Sequence, residues 1–133
     1  MPPFDGLICF SQGCAVATGM LLNQFQADEA RHLGYPVRFV VLICGSRPPD
    51  GKMGFVSTPG SAPIALPSIH VQGLKDSALA EQKRLSALYD NRVKMVLELD
   101  IAHHPPRRTS DVDTVAEAIH KLIDTLEPRE ARP

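Results

Sequence analysis

The chain has 133 residues, 44% of them hydrophobic and 22% charged, with a net charge of −1. That is the length of one domain, enough to hide roughly two-thirds of the unfolded surface. The near-neutral balance gives no electrostatic reason to expect nucleic acid or a membrane surface as a partner. No apolar run approaches the roughly 18 residues that span a bilayer, and Met1–Asp5 has neither the cationic nor the apolar region of a secretory leader. The three cysteines, at 9, 14 and 44, are odd in number and lack zinc-ligand spacing, so they read as reduced, packed thiols of a cytoplasmic protein. No local motif asks for a metal or a cofactor.

Residues 4–10, Phe-Asp-Gly-Leu-Ile-Cys-Phe, form a short apolar run suited to a strand buried on both faces. Ser11-Gln12-Gly13 follows at once. Ala15, Met20, Leu21, Leu22 and Phe25 then recur at helical spacing, so the chain turns sharply from strand to helix at Ser11, and Gly34-Tyr35-Pro36 closes the segment. Residues 37–44 are β-branched and apolar and end at Gly45, a strong strand pattern. The proline- and glycine-rich stretch 46–66 has no steady period and reads as a surface excursion, the best candidate for a substrate rim. Residues 68–72 form a short strand behind Pro67, with Gly73–Asp76 as its exit loop. Residues 79–89 read as a helix with Leu79, Gln82, Leu85 and Leu88 on related faces. Lys94–Leu99 alternates as a strand with Met95, Leu97 and Leu99 on one side. Residues 100–108 make a loop rich in His, Pro and Arg. Residues 113–126 form a final helix with Val115, Ala116, Ile119, Leu122 and Ile123 as its stripe, and 127–133 make a charged tail. One domain over 1–126 results, of α/β class, with a mostly parallel sheet of about four strands and flanking helices. No repeat and no glycine-rich phosphate loop is present.

In a parallel sheet, functional side chains gather at the carboxyl ends of the strands. Ser11 stands after the first strand, Asp76 after the third, and His103 or His104 after the fourth. A hydroxyl needs a neighbouring base to become a nucleophile. Imidazole titrates near neutrality and supplies that base, and a carboxylate holds the ring in the right tautomer. The chain order Ser, Asp, His is that of α/β-hydrolases. The elbow, Cys9-Phe10-Ser11-Gln12-Gly13, matches the G-x-S-x-G pattern at Gly13 and departs from it at Cys9. Each residue also has a plainer reading: Ser11 and Asp76-Ser77 as helix caps, His103-His104 as a solvated loop, His70 and His120 as structural histidines.

The sequence resembles the serine hydrolase family common in fungi, a branch of the α/β-hydrolases. The segment Asp5-Gly6-Leu7-Ile8-Cys9-Phe10-Ser11-Gln12-Gly13-Cys14 is similar to the family's DGVLGFSQGA. His70-Val71-Gln72-Gly73-Leu74-Lys75-Asp76 matches its H-x-x-G-x-x-D, and His103-His104-Pro105-Pro106 its H-x-x-P. The likeness runs over residues 4–126. It implies a partial α/β-hydrolase fold with Ser11 as nucleophile, Asp76 as orienting acid, His103 as base (His104 by a shift of one), and Gln12 N–H as oxyanion donor. The implied substrate is a small carboxylic ester or thioester, acted on without cofactor, with some relatives being thioesterases of secondary metabolism.

Members of that family carry further strands and an H-G loop ahead of the elbow, whereas three residues precede Phe4 here. The expectation is therefore a fold truncated at its amino end, with one margin of the nucleophile strand bare. A second copy or a partner chain is the expected occupant of that margin. The second oxyanion donor is expected to be absent, leaving activity weak.

Overall fold

The computed structural model describes residues 5–25, 34–60 and 62–126. In chain order these form β1 (Gly6–Phe10), α1 (Gln12–Met20) running into a π-helical turn (Leu21–Phe25), β2 (Phe39–Ile43), β3 (Ser68–Gly73), α2 (Leu79–Ser86), a 3-10 turn (Asn91–Val93), β4 (Lys94–Leu99) and α3 (Thr109–Thr125). The four strands are all parallel, in the order β1-β2-β3-β4, as expected from the alternation of strands and helices.

β2 explains the layering. Its five residues are all buried, and alternate side chains enter two separate cores because side-chain direction reverses at each residue of a strand. Val40 and Leu42 join Cys14, Leu21, Leu85, Leu88 and Tyr89 beneath α1 and α2. Phe39, Val41 and Ile43 join Ile69, Val71, Leu99, Val115 and Ala118 beneath α3. A continuous apolar run is what a strand covered on both faces requires.

β1 departs from the expectation of burial on both faces. It is a margin of the sheet, with Leu7 41%, Ile8 68% and Phe10 37% exposed. Ile8 pairs with Val41 and so points to the α3 face, but α3 lies over β3 and leaves Ile8 uncovered. Met20, one of the apolar residues that recur at helical spacing, is half-exposed and shares a shallow apolar hollow with Leu7 beside the same margin. Gly13 likewise has no close neighbour: a Cβ there would meet nothing within 4 Å. The close strand–helix approach that favours a small residue two past the elbow is therefore not realised among the described residues.

Other boundaries shift for local reasons. The helix expected over 79–89 ends at Ser86, because Leu88 and Tyr89 turn inward and Tyr89 bridges to Ile64. α3 begins four residues before Asp113 (at Thr109), with Arg108 paired to Asp111 across its first turn at 3.4 Å. Its inward stripe is Val115, Ala118, Ile119 and Leu122, while Ala116 and Ile123 face out. The 3-10 turn before β4 is capped by Asp90, which accepts from Arg92 N. Phe4, residues 26–33 and the tail 127–133 lie outside the described residues.

The excursion 46–66 contains no helical turn among its described residues. Arg47 anchors its start: the backbone N–H and guanidinium both donate to Glu81 of α2, at 2.9, 2.8 and 3.0 Å. Pro48 then rests against Gly19, and a hollow of about 440 Å³ runs between residues 48–56 and the far half of α1. The first part of the segment thus packs along α1, two turns away from Ser11, rather than forming a rim over it.

Candidate functional site

Ser11 occupies the turn between β1 and α1 with φ 54° and ψ −118°, a region L-residues rarely adopt and one that marks strained, functional backbone. Its N–H donates to Ile43 O at 2.9 Å, which ties the turn to the end of β2 and lifts the hydroxyl clear of the sheet. The plainer reading of Ser11 as a helix cap fails, since its side chain makes no capping hydrogen bond. Gln12 opens α1, in the first turn where backbone N–H groups lack an intrahelical acceptor.

From β4 the chain passes Asp100 and returns over the sheet. Lys75 N–H donates to Ile101 O at 3.0 Å and Leu74 N–H to Leu99 O at 2.9 Å, binding this loop to the exit of β3. Gly73 makes that approach close: a Cβ there would lie 2.7 Å from Ile101 O and 3.1 Å from Ala102 O. The loop brings His103 Nε2 to 2.8 Å from Ser11 Oγ, and His103 Nδ1 to 2.7 Å from Asp76 Oδ2. The Phe10 ring lies 5.3 Å from the His103 ring, tilted. His104 turns away, its Nδ1 bonded to Pro105 O at 2.7 Å. The structure thus brings Ser11, Asp76 and His103 together and leaves His104 apart.

Asp76 is the most enclosed member of the group, its side chain 2% exposed. Oδ1 accepts from Ala78 N–H at 2.9 Å, and Oδ2 accepts from Gln82 Nε2 at 2.7 Å as well as from His103. Burial opposes its charge. The donors Ala78 N–H, His103 and Gln82 outweigh that cost and hold the carboxyl below its ordinary range. The local cap reading of Asp76 is also realised, through Ala78, so one carboxylate serves both purposes.

Two residues join the site that sequence reasoning did not assign to it. Gln82 is buried on α2. Its Oε1 accepts Gly73 N–H at 2.9 Å, which orients the amide so that Nε2 faces Asp76. Cys44 follows β2 with φ 48°, and its Sγ lies 3.8 Å from Ala102 O and 3.9 Å from His104 O, the carbonyls on either side of His103. Burial, then the neighbouring Asp76, push its thiol up to about 11. Cys44 Sγ, a carboxylate oxygen of Asp76 and a ring nitrogen of His103 all lie within 4.8 Å of one another, a set of donors able to hold a metal ion.

His70 is not at this site. It is buried in β3, bonded to Ser68 Oγ at 2.9 Å and edge-on to Tyr89, as expected of a structural histidine. His120 is exposed on α3. A hollow of about 430 Å³ lined by Pro67, Arg92, Lys94 and Leu122 lies at the opposite end of the sheet.

A hydroxyl, an imidazole and a buried carboxylate in one hydrogen-bonded line at the carboxyl edge of a parallel sheet can activate the hydroxyl for attack on an electrophilic carbon. The family model for serine hydrolase (FSH1) matches residues 1–115. The chain belongs to this family. It is 34% identical over 124 residues to an esterase, FUS5, of Gibberella moniliformis, an alignment covering 92% of this chain and 48% of that protein. It is 27% identical over 135 residues to a thioesterase, FSL2, of Gibberella zeae, covering 92% and 52%. It is 38% identical over 82 residues to the human esterase OVCA2, covering 61% and 34%. Among solved structures it is similar to a carboxylesterase of Bacillus cereus, with a TM-score of 0.55 and 20% identity, covering 88% of this chain and 49% of that one. The fold is accordingly that of an α/β-hydrolase, and the chain spans about half the length of the curated relatives it matches. No helix among the described residues is long and apolar enough to cross a membrane.

Proposed function

We propose that this chain is a serine hydrolase of carboxylic esters or thioesters that works through an acyl-enzyme. Ser11 Oγ attacks the acyl carbon while His103 Nε2 takes its proton. Asp76 holds the imidazole as the Nδ1–H tautomer and stabilises the imidazolium. His103 returns the proton to the leaving alcohol or thiol, and water, activated by the same base, releases the acid. Gln12 N–H faces the developing oxyanion as one donor, supported by the positive end of α1. Removing one such donor costs about 10²–10³ in rate, so the rate depends on whether a second is supplied. Three free thiols fit a cytoplasmic setting, and a place in secondary metabolism is what the family resemblance implies.

The continuous line Ser11 Oγ–His103–Asp76, at 2.8 and 2.7 Å, carries this reading. A fluorophosphonate probe tests it: Ser11 is expected to label and Ser11→Ala is not. Folded protein that stays unlabelled at Ser11 overturns it.

The exposed margin of β1 favours a second reading, a unit that needs a partner chain to complete its sheet before it acts. Leu7, Ile8 and Phe10 are exposed there, and among the described residues no strand pairs with the outer side of β1. Light scattering after gel filtration decides it: a monodisperse, cooperatively melting monomer that labels at Ser11 removes the need for a partner.

A further inference from the structure

We infer that Cys44, Asp76 and His103 form an inhibitory site for a thiophilic divalent cation of the zinc type. The donors come from three different strand ends, which is why no spacing motif announced them. Cys44 follows β2, Asp76 follows β3 and His103 follows β4. A thiolate, a carboxylate and an imidazole are the ligand types of zinc, bound at about 2.3 Å to sulfur and about 2.0–2.2 Å to nitrogen or oxygen. Tetrahedral ligands at those lengths lie roughly 3.5 Å apart. The three atoms here all lie within 4.8 Å of one another, so each needs to move by only about 1 Å to reach that spacing. His103 is the accessible member and the route in, its side chain 47% exposed against 2% for Asp76.

The charges also fit. A divalent cation between one thiolate and one carboxylate is neutral overall, which a buried site demands. On binding, the Cys44 S–H bond breaks, its proton leaves to solvent and a metal–sulfur bond forms. Sulfur in the donor set selects zinc or cobalt over magnesium or calcium. Cys44 adopts a left-handed backbone conformation that aims the thiol into the space between the carbonyls of Ala102 and His104 and the Asp76 carboxylate. A buried cysteine held there in strained backbone does more than fill volume.

The consequence for turnover rests on the function proposed above. A metal on His103 Nδ1 displaces its bond to Asp76 and leaves the ring proton on Nε2. That nitrogen faces Ser11 Oγ at 2.8 Å, and as N–H it cannot accept the hydroxyl proton. Zinc therefore holds the base in the idle tautomer.

Two readouts separate site from consequence. Cobalt(II) added to the metal-free protein is expected to give a near-ultraviolet thiolate-to-metal absorption that is retained in Cys9→Ala and lost in Cys44→Ala and Cys44→Ser, each checked for fold by circular dichroism. Zinc is expected to slow fluorophosphonate labelling of Ser11, reversibly with chelator. Cys44→Ala is expected to need at least ~10-fold more zinc for the same slowing, and magnesium to have no effect. Cobalt without that absorption, or with the same absorption in folded Cys44→Ala, overturns the site. Labelling of wild-type protein unaffected by zinc overturns the inhibition. If the metal-free protein does not label at all, the hydrolase reading fails, and the cobalt spectrum still decides the site.

Discussion

Gln82 holds Asp76 from behind: its Nε2 donates to Oδ2 at 2.7 Å, while its Oε1 is pinned by Gly73 N–H at 2.9 Å. The amide cannot flip without losing both bonds, so Oδ2 is presented to His103 in one orientation. Gln82→Met keeps the volume and removes both polar ends. Hydrogen bonds to charged groups contribute about 1.5–3 kcal/mol, and urea melts are expected to show a loss of that order. Part of it falls on the proposed chemistry, with kcat for a simple ester expected to drop about 10-fold and KM to stay within about 2-fold. A parallel fall in both, or none, removes Gln82 from the positioning of the acid.

Ser11 sits in a backbone region that glycine tolerates far better than serine. Strain of this kind costs on the order of 1–3 kcal/mol. Ser11→Gly is expected to raise stability by about 1 kcal/mol while abolishing probe labelling, and Ser11→Ala to abolish labelling without that gain. Chemical melts of the two variants side by side check this.

Gly73 lets the loop carrying His103 lie against β3. A methyl group there meets Ile101 O at 2.7 Å and Ala102 O at 3.1 Å, both backbone, so the loop must move. Gly73→Ala is expected to cut the labelling rate of Ser11 by about 10²-fold, the scale set by misplacing a reacting group by about 1 Å. A rate within about 2-fold of wild type shows that the loop absorbs the methyl group elsewhere.

His70 gives the fold a pH dependence of its own. Burial first, then the charge of Lys94, lower its pKa from 6.5 to about 3. The unfolded chain therefore binds a proton that the folded chain refuses between those values. Stability is full above about 6.5 and declines as pH falls toward about 3. His70→Gln is expected to flatten the slope of urea midpoint against pH in that window. Asp76, with its depressed pKa, acts on the acid side of its ordinary 3.8, where its contribution is lost as pH falls further. An unchanged slope in His70→Gln assigns the acid sensitivity to other groups.

The sheet was legible because β2 and β4 carry undisguised patterns, one continuous and one alternating, and because strand–helix alternation leaves little choice but parallel pairing. Asp76 and His103 were legible through the question of which polar residues end each strand. The same question put to the second strand leads to Cys44, which its apolar neighbours disguised as core. Gln82 was visible as a glutamine within the face that carries Leu79 and Leu85, and a buried amide on an apolar stripe always needs a partner. The exposure of β1 could not be read from Leu7, Ile8 and Phe10 themselves, because burial of a strand depends on what lies beside it. The inward turn of Leu88 and Tyr89 was equally hidden. It answers to Thr18, 71 residues away, whose hydroxyl meets Tyr89 Oη at 2.8 Å.

The two ends of the shortest hydrogen-bonded path at the site hang from opposite margins of the sheet. Ser11 follows β1 and His103 follows β4, 92 residues later. Three strand spacings make a gap of roughly 14 Å, and His103 is only four residues past Leu99, which fully extended reach about the same distance. The loop spends part of that reach on two tight turns, Ile101 N–H to Leu99 O and His104 N–H to Ala102 O, both at 2.9 Å, and the side chains of Ser11 and His103 close the rest of the gap. The Ser11–His103 bond closes only when all four strands have docked at their proper spacing and twist, so reactivity at Ser11 becomes a gauge of the whole sheet. Any condition that loosens one strand is expected to silence the serine well before circular dichroism registers a loss of structure.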